Sequence, residues 1–225
     1  MVSIAIDGPG GAGKSTIAKA LAKKLGYIYV DTGALYRAIG LYMLNSGVDT
    51  KDKLNVPTKL AEINIELKYI DGVQKVILCG GDVSSEIRKP EVSMAASDVS
   101  AIGEVRAFLL ELQRDMARKN NVIMDGRDIG TVVLPNAEIK IFLTASAEER
   151  AMRRYKELVE KGVGVEYETV LKELNERDYQ DSHREIAPLK PADDAELIDT
   201  TGYNLEQSVD MLAKFVTKRL GELEK

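Results

Sequence analysis

The sequence predicts an α/β fold in which a five-stranded parallel sheet is covered by helices on both faces. Short apolar runs, each bounded by turn residues, alternate with longer stretches whose apolar residues recur at the spacing of a helix. Strands separated by helical stretches pair in parallel and are buried on both faces. The five predicted strands are residues 2–6, 27–30, 122–124, 139–143 and 197–198.

The composition is typical of a soluble globular domain. A length of 225 residues and a hydrophobic content of 44% suffice for a packed core. The net charge of −5 argues against a nucleic-acid partner. No apolar run approaches the roughly eighteen residues of a membrane span, and the apolar N-terminus is too short for a signal peptide. We therefore expect a cytoplasmic protein that contacts neither membrane nor nucleic acid, and we expect it to be a monomer.

The cysteine and histidine content excludes two common kinds of site. Cys79 is the single cysteine, so it has no internal disulfide partner, and His183 is the single histidine. Neither residue has the paired spacing of a zinc site. The chain is therefore expected in a reducing, intracellular environment.

The first strand leads into a phosphate-binding loop. Residues 8–15 match the pattern G-x-x-x-x-G-K-[ST], and Ile17, Leu21 and Leu25 after them recur at helical spacing. Glycines let the backbone curl so that successive N–H groups point at phosphate oxygens, and the helix adds the positive end of its dipole. We predict that ATP is bound by Gly8, Pro9, Gly10, Gly11, Ala12, Gly13, Lys14, Ser15 and Thr16.

Two side chains of this loop are predicted to act on the triphosphate. Lys14 would reach the β- and γ-phosphates from an exposed position in the loop, and the Ser15 hydroxyl would ligate Mg²⁺. The alternative is an ordinary glycine-rich turn with a chance Lys-Ser pair. The full match, with a strand before it and a helix after it, disfavours that alternative.

A second candidate for metal binding stands at the end of the third strand. Residues 122–125 have the form of a Walker B strand, whose terminal carboxylate, here Asp125, helps to hold Mg²⁺ directly or through water. Many apolar strands end in Asp only because Asp favours turns. By itself this strand leaves both interpretations open, and the phosphate-binding loop is what favours the metal role.

The spacing of the strands predicts two additions to the core. About ninety residues separate the second and third strands, far more than one crossover helix needs. Within that gap, alternating apolar residues at 63–69, a turn at Asp71-Gly72 and a second run at 76–78 predict a β-hairpin. Residues 148–184 are helical in pattern and rich in Arg, with glycines at 162 and 164, which predicts a helical hairpin.

Four separated motifs carry a resemblance to a known family. The first is the phosphate-binding loop, and no N-K-x-D motif of the guanine-reading GTPases accompanies it. The others are residues 31–37 (DTGALYR), residues 126–131 (GRDIGT) and residues 176–189, which begin ERD and end APL. With these motifs the chain resembles the nucleoside monophosphate kinases, specifically the bacterial type of cytidylate kinase. The resemblance covers essentially the whole chain.

The resemblance implies an architecture and a reaction. It implies a P-loop NTPase three-layer fold with a core at 1–58, 100–147 and 188–225. It also implies a monophosphate-binding insert at about 59–99 and a lid at about 148–187 that close over the substrates. The implied substrates are ATP and CMP or dCMP, with Mg²⁺, and the γ-phosphate would pass by direct in-line transfer.

The resemblance also implies roles for individual side chains. The catalytic residues would be Lys14, Arg127, Arg184 and Asp125. CMP would be bound through its α-phosphate by Arg37, Arg127 and Arg184 with Thr32 nearby, and through its ribose by Arg177 and Asp181. If that segment is helical, residues 177, 181 and 184 share one face, and a surface ion-pair ladder is the alternative. Of Arg150, Arg153 and Arg154, some could reach ATP and at least one is expected in solvent.

Base selection can be argued from hydrogen-bonding chemistry. Cytosine presents an amine donor beside two acceptors, and uracil exchanges the amine for a carbonyl acceptor. In the family positions, Asp128 would accept from the amine, with Arg106 and Ser97 as donors. The open alternatives are a kinase for UMP, AMP or a non-nucleotide acceptor, and a nucleotide-binding regulator without catalysis. Asp128 and Arg106 argue against UMP, and the complete phosphate-binding set argues against an inactive regulator.

Overall fold

A computed structural model describes residues 1–70, 73–160 and 162–223 of the chain. The strands there are β1 (Ser3–Asp7), β2 (Ile28–Asp31), β3 (Ile65–Ile70), β4 (Val73–Leu78), β5 (Gly81–Asp82), β6 (Val122–Gly126), β7 (Ile139–Thr144) and β8 (Glu196–Asp199). The helices are α1 (Lys14–Leu25), α2 (Thr32–Asn45), α3 (Asn55–Lys59), α4 (Pro90–Ser100), α5 (Gly103–Lys119), α6 (Ala147–Glu160), α7 (Tyr167–His183) and α8 (Leu205–Leu223). A π-helical turn spans Ile129–Val133, and 3₁₀ turns span Leu60–Glu62 and Glu86–Arg88.

The central sheet is parallel, with the strand order β2-β6-β1-β7-β8. Successive residues of β1 enter opposite faces, as the period of a strand requires. Ile4 and Ile6 pack with α1 and α8, whereas Ala5 packs with α5 and the π-helical turn. The predicted three-layer α/β fold with five parallel strands is therefore confirmed. All the phosphate-facing loops leave this sheet at the carboxyl ends of its strands, where ligands of open α/β sheets bind.

The predicted hairpin is present as β3 and β4. They pair antiparallel from Ile65 opposite Leu78 to Ile70 opposite Val73, and the predicted turn Asp71-Gly72 lies outside the described residues. The short strand β5 adds a third member that the alternating pattern did not predict, because a two-residue strand has no period to detect. The inward residues of the hairpin share one hydrophobic cluster with α2, α4 and α5.

The hairpin also contacts the edge of the central sheet. The Gln74 side chain accepts a hydrogen bond from the backbone N–H of Asp31 at 3.0 Å, and Tyr69 donates to the carbonyl of Tyr29 at 2.8 Å. Because β2 is an edge strand, these groups would otherwise lack strand partners. The hairpin therefore covers the edge of β2 beside the phosphate-binding loops.

The predicted helical hairpin is present as α6 and α7, joined through a bend in which Gly162 has a φ of +74°. One detail of the prediction is wrong. Arg184 does not continue the helical face of Arg177 and Asp181, because α7 ends at His183 and Arg184 has an extended backbone with a ψ of 144°. The chain leaves the helix at this residue, and Arg184 Nε donates to the carbonyl of Ala187. The Arg184 side chain therefore enters the site from the end of α7 and not from its face.

Candidate active site

The phosphate-binding loop runs from the end of β1 to the first turn of α1, and two of its glycines are required sterically. Gly8 has a φ of +147°, and a Cβ there would lie 1.9 Å from the carbonyl oxygen of Leu143. Gly11 has a φ of +73°, and a Cβ there would lie 2.9 Å from the carbonyl oxygen of Arg150. The loop is therefore pressed against β7 and α6, in a conformation that only glycine adopts without strain.

Lys14 occupies a different environment from the exposed one expected. Only 6% of the residue is exposed, and its Nζ donates to the carbonyl of Pro9 at 2.7 Å across the loop. Burial, followed by the positive charge of Arg127, holds the pKa of Lys14 well below its usual value. Lys14 is buried because the loop curls around its side chain. A phosphate anion in the loop would favour the charged form of Lys14 and so oppose this lowering of its pKa.

Asp125 at the carboxyl end of β6 is the centre of a buried oxygen cluster. Its two carboxylate oxygens accept hydrogen bonds from Ser15 Oγ and from the Tyr29 hydroxyl, both at 2.8 Å. Burial and the neighbouring Asp31 raise the pKa of Asp125, whereas Lys14 and the two hydroxyls lower it. The strand register explains the proximity of the carboxylates, because Asp31 of β2 lies opposite Asp125 of β6.

The oxygen ligands around Asp125 suit a Mg²⁺ ion whose coordination is completed by water and substrate phosphate oxygens. Asp125 and Ser15 supply hard oxygen ligands in hydrogen-bond contact. Among the described residues no group of three or more His, Cys, Asp or Glu side chains could enclose a metal by itself. Mg²⁺ usually keeps several waters and binds through one or two protein oxygens plus phosphate oxygens. The residues therefore fit a metal that arrives with the triphosphate.

Arginines from three elements converge on the space beside the phosphate-binding loop. Arg37 of α2 pairs with Asp31 at 2.8 Å, and Arg127 after β6 donates from Nε to Asp181 at 2.8 Å. Arg184 donates from Nε to the carbonyl of Ala187 at 2.7 Å and from Nη1 to Ser100 Oγ at 3.1 Å.

These contacts leave donors unused. Arg37 Nε, Arg177 Nε and Arg184 Nη2 are buried without a hydrogen-bond partner in the part of the chain that the structure describes, and Arg184 Nη2 has only a longer ion pair, 3.8 Å from Asp128. Buried donors without partners are costly in a folded protein. Three of them on arginines of one cluster indicate a site for an anion.

The pKa values of these arginines also indicate a site for an anion. Burial, followed by the charge of Arg127, lowers the pKa of Arg177 to about 10. Burial and Arg106 likewise lower the pKa of Arg184. For Arg127 burial acts in the same direction, but Asp181, together with Asp178 and Asp125, outweighs it and raises the pKa. The described carboxylates therefore do not fully offset the positive charge here, and a phosphate would do so.

A buried ion pair adjoins the arginines, since its carboxylate lies 3.8 Å from Arg184 Nη2. Arg106 of α5 donates to the Asp128 carboxylate, and both residues are buried. A second bond from Arg106 Nη1 to the carbonyl of Ser100, at 3.2 Å, fixes the guanidinium, which stands 5.5 Å from the centre of the Tyr36 ring. Ser97 of α4 donates to Gln180 of α7 at 3.2 Å. Ser100 also donates to the carbonyl of Ser97 at 2.8 Å, so the predicted base-reading residues belong to one hydrogen-bonded cluster.

Comparison with known proteins decides the family. The family model described as Cytidylate kinase matches residues 4–218. The chain belongs to the cytidylate kinase family. A cytidylate kinase from Caldicellulosiruptor saccharolyticus is 54% identical over 220 residues, which are 98% of this chain and 97% of that protein. A cytidylate kinase from Carboxydothermus hydrogenoformans is 50% identical over 216 residues, which are 96% of this chain and 97% of that protein.

A solved structure supports the fold alone. An uncharacterized protein from Eubacterium ventriosum superposes with a TM-score of 0.54 at 15% identity, over 96% of this chain and 98% of that chain. The family resemblance stated from the four motifs is confirmed. The chain is thus an enzyme of the nucleoside monophosphate kinase type. No helix among the described residues combines the length and apolar character of a membrane span.

In this member of the cytidylate kinase family the three arginines of α6 differ in their surroundings. Arg150 is buried, and its Nη1 donates to the carbonyl of Gly10 at 2.9 Å and to Asp178 at 2.5 Å. Arg153 donates to the carbonyls of Thr200 and Tyr203 at 3.1 and 3.3 Å. Arg154 pairs with Glu157 on the same helix. Arg150 therefore joins α6 and α7 to the phosphate-binding loop.

Several site residues were missed from the sequence. Asp31 caps α2 by accepting from the N–H of Ala34 at 2.9 Å while it holds Arg37. An Asp between a strand and a helix is a common capping signal that could have identified it. Tyr29, Tyr36 and Gln180 have no such signal, because only the fold brings them to the site. Thr32, which was predicted, is the first residue of α2 and donates to the carbonyl of Asp125 at 2.7 Å.

Proposed function

We propose that the protein transfers the γ-phosphate of ATP to CMP and dCMP, giving ADP and the corresponding diphosphate. One observation carries the proposal. Guanidinium nitrogens of Arg37, Arg177 and Arg184 are buried without a hydrogen-bond partner among the described residues, and Arg127 of the same cluster lies beside Gly10 of the phosphate-binding loop. Two anion sites that adjoin in this way suit a donor phosphate chain and an acceptor phosphate. The family membership supports the identity of the acceptor.

On the donor side, the loop from Gly8 to Ser15 holds the triphosphate through its backbone N–H groups and the end of α1. Lys14 leaves Pro9 and pairs with the β- and γ-phosphates, and it neutralises charge that builds up during transfer. Ser15 and Asp125 would hold Mg²⁺, directly or through water, and the ion would offset part of the charge on the phosphates. Tyr29 keeps the Asp125 carboxylate oriented toward that position.

On the acceptor side, Arg37, Arg127 and Arg184 bind the α-phosphate of the monophosphate with Thr32 beside them. The arrangement positions one oxygen of that phosphate to attack the γ-phosphorus in line with the bond to ADP. A P–O bond to the acceptor forms as the bond to the β-phosphate oxygen breaks, and ADP leaves with the bonding electrons. No covalent enzyme intermediate is needed, because positioning and charge neutralisation supply the catalysis.

The remaining polar groups select the base and the sugar. Asp128 accepts from the 4-amino group of cytosine, and Arg106 and Ser97 supply the donors. Uracil would place its carbonyl against the Asp128 carboxylate, which leaves two acceptors facing each other in a buried pocket. Asp181, held by Arg127, lies with Arg177 where the ribose would extend.

The segments at about 59–99 and 148–187 are proposed to close over the two substrates, because they carry Ser97 and Arg177, which would bind CMP, and meet through the bond from Ser97 to Gln180. Hydrogen exchange in these segments should slow when an unreactive ATP analogue and CMP are both bound. Exchange in the core sheet serves as the control. Unchanged exchange in both segments would indicate a preformed site.

The decisive experiment measures ADP release with CMP, dCMP, UMP, AMP and GMP in turn, each with and without Mg²⁺. We expect turnover with CMP and dCMP in the presence of Mg²⁺, and much less with UMP. Preferred turnover with UMP or AMP would overturn the assignment of the acceptor. ATP binding without any turnover would support a regulator instead.

A further inference from the structure

Asp7 is a buried carboxylate for which the proposed reaction has no use. It is the last residue of β1, directly before the phosphate-binding loop, and it lies opposite Gly126 in the strand register. Only 4% of the residue is exposed. Its two oxygens accept hydrogen bonds from the backbone N–H groups of Ile129 and Gly130, at 2.8 and 2.7 Å. Asp7 therefore joins the loop for ATP to the segment that carries Arg127 and Asp128.

The N–H groups that Asp7 binds are those that open the π-helical turn Ile129–Val133. First-turn N–H groups of a helix have no partner inside it and are normally satisfied by the residue at the N-cap. Asp128 occupies that N-cap position, yet its side chain makes no capping hydrogen bond. The Asp128 carboxylate points instead at Arg106. A distant residue thus does the capping that Asp128 would ordinarily do.

We propose that Asp7 is a positioning residue for base selection: by capping the turn after Asp128, it leaves the Asp128 carboxylate free to face Arg106 and the cytosine base. Without Asp7, the unsatisfied N–H groups would attract the nearest carboxylate. Asp128 is that carboxylate, because an Asp at an N-cap reaches the N–H two or three residues on. It would then turn away from the base. The inference rests on the proposed selection of CMP.

The electrostatics of Asp7 agree with this role. Burial raises the pKa of Asp7 to about 6, the two N–H groups oppose that rise, and the charge of Asp128 adds to it. The two carboxylates therefore repel each other, which favours the orientation of Asp128 toward Arg106. Support of the phosphate-binding lysine is the competing role. No hydrogen bond among the described residues supports that role, because Lys14 Nζ donates to the carbonyl of Pro9 and not to Asp7.

The test uses Asp7→Asn in the full-length protein. The amide has nearly the shape of the carboxylate but only one accepting oxygen, so its NH₂ group opposes one of the two backbone N–H groups. We measure kcat/KM for CMP and for UMP and express the selectivity as their ratio. We expect the ratio to fall about tenfold or more, since a hydrogen bond to a charged group is lost. The KM for ATP should stay within about twofold of wild type.

A double mutant separates positioning from general support. If Asp7 acts through Asp128, Asp7→Asn added to Asp128→Ala should leave the ratio where Asp128→Ala alone places it. A further fall in the double mutant would overturn the proposal, as would equal losses for CMP and UMP in the single mutant. Wild type is measured first: if it does not prefer CMP, the proposed function fails. If it does and Asp7→Asn keeps that preference, only this inference fails.

A second variant and a control variant distinguish a change in selectivity from a general loss of stability. Asp7→Ala removes both accepting oxygens without placing an NH₂ group against the backbone N–H groups, so it should lower the same ratio. An unchanged ratio in a folded Asp7→Ala variant would contradict the proposal. Ser208→Ala removes a buried hydroxyl of α8 that donates to the carbonyl of Asn204, the residue before that helix and away from the site. It should lower the melting temperature without any change in the ratio.

Discussion

The donor and acceptor sides of this active site are built in opposite ways. The proposed donor side is one continuous loop, which would bind phosphate through its backbone N–H groups and Lys14. The acceptor side is assembled from side chains of α2, α4, α5, α7 and the segment after β6. A backbone site tolerates many side chains but few changes of conformation, whereas a side-chain site depends on each member and its partner. Substitutions should therefore have sharper and more separable effects on the acceptor side.

The largest effect is expected for a substitution of Lys14, because its side chain is proposed to contact the donor phosphates. Lys14→Ala should lower kcat by about 10²–10³-fold or more, because the lysine neutralises charge in the transition state. The melting temperature should change little, since removing a buried cation also removes its desolvation cost. Lys23→Ala, an exposed residue of the same helix, is the control in a coupled ADP-release assay. Near-normal turnover of Lys14→Ala would contradict the assignment of the loop.

On the acceptor side, Asp128→Ala should reduce selectivity. The ratio of kcat/KM for CMP to that for UMP should fall on the order of a hundredfold, toward unity, while ATP affinity is retained. The removal also leaves Arg106 without its buried partner, so a moderate loss of stability is expected. Equal losses for both substrates would show instead that Asp128 serves to orient Arg127 or Arg106.

Arg177→Met should separate binding from stability. Folding lowers the pKa of Arg177 to about 10, so below that pH the charged form disfavours the folded state. The variant should melt at a higher temperature than wild type without ligand, and the difference should shrink as pH rises above 10. KM for CMP should rise about tenfold or more as a phosphate or ribose contact is lost. A lower melting temperature at neutral pH would contradict the anion-site interpretation.

The smallest effect is expected for Tyr29→Phe. Asp125 keeps its bond from Ser15 but loses the one from the Tyr29 hydroxyl. The Mg²⁺ concentration for half-maximal activity should rise several-fold, with kcat for CMP at saturating Mg²⁺ within about threefold of wild type. Calorimetric binding of Mg²⁺ with an ATP analogue gives a readout besides turnover. An unchanged Mg²⁺ dependence would show that Ser15 alone orients the carboxylate.

The two sides also differ in how well the sequence predicted them. The phosphate-binding loop was predicted with its strand and helix, because all of its members are adjacent in the chain and follow a fixed spacing. Arg37, Arg127, Arg184, Asp128 and the other acceptor residues were named only through the family resemblance, and their roles remain predictions. Ser97 and Arg106 lie in ordinary helical sequence, and nothing local distinguishes them from surface residues of an amphipathic helix.

Errors arose where burial or chain direction depends on distant contacts. Lys14 was expected in an exposed position, but the curled loop and the packing of β7 and α6 enclose it. Arg184 was placed on a helical face, but α7 ends one residue earlier. Asp7 was not singled out, because the predicted strand ended at residue 6. Its partners, Ile129 and Gly130, are more than 120 residues away, beyond the reach of any local pattern.

The sequence by itself determined the order of strands and helices, the phosphate-binding loop and the existence of both additions to the core. Each of these depends on local periodicity, turn chemistry and adjacent residues. The tertiary structure alone decided which carboxylate meets which arginine, which donors are buried without partners, and which residue caps the turn after Asp128. These pairings depend on strand register and helix packing, which bring together residues far apart in the chain, and desolvation then sets their charges and strengths.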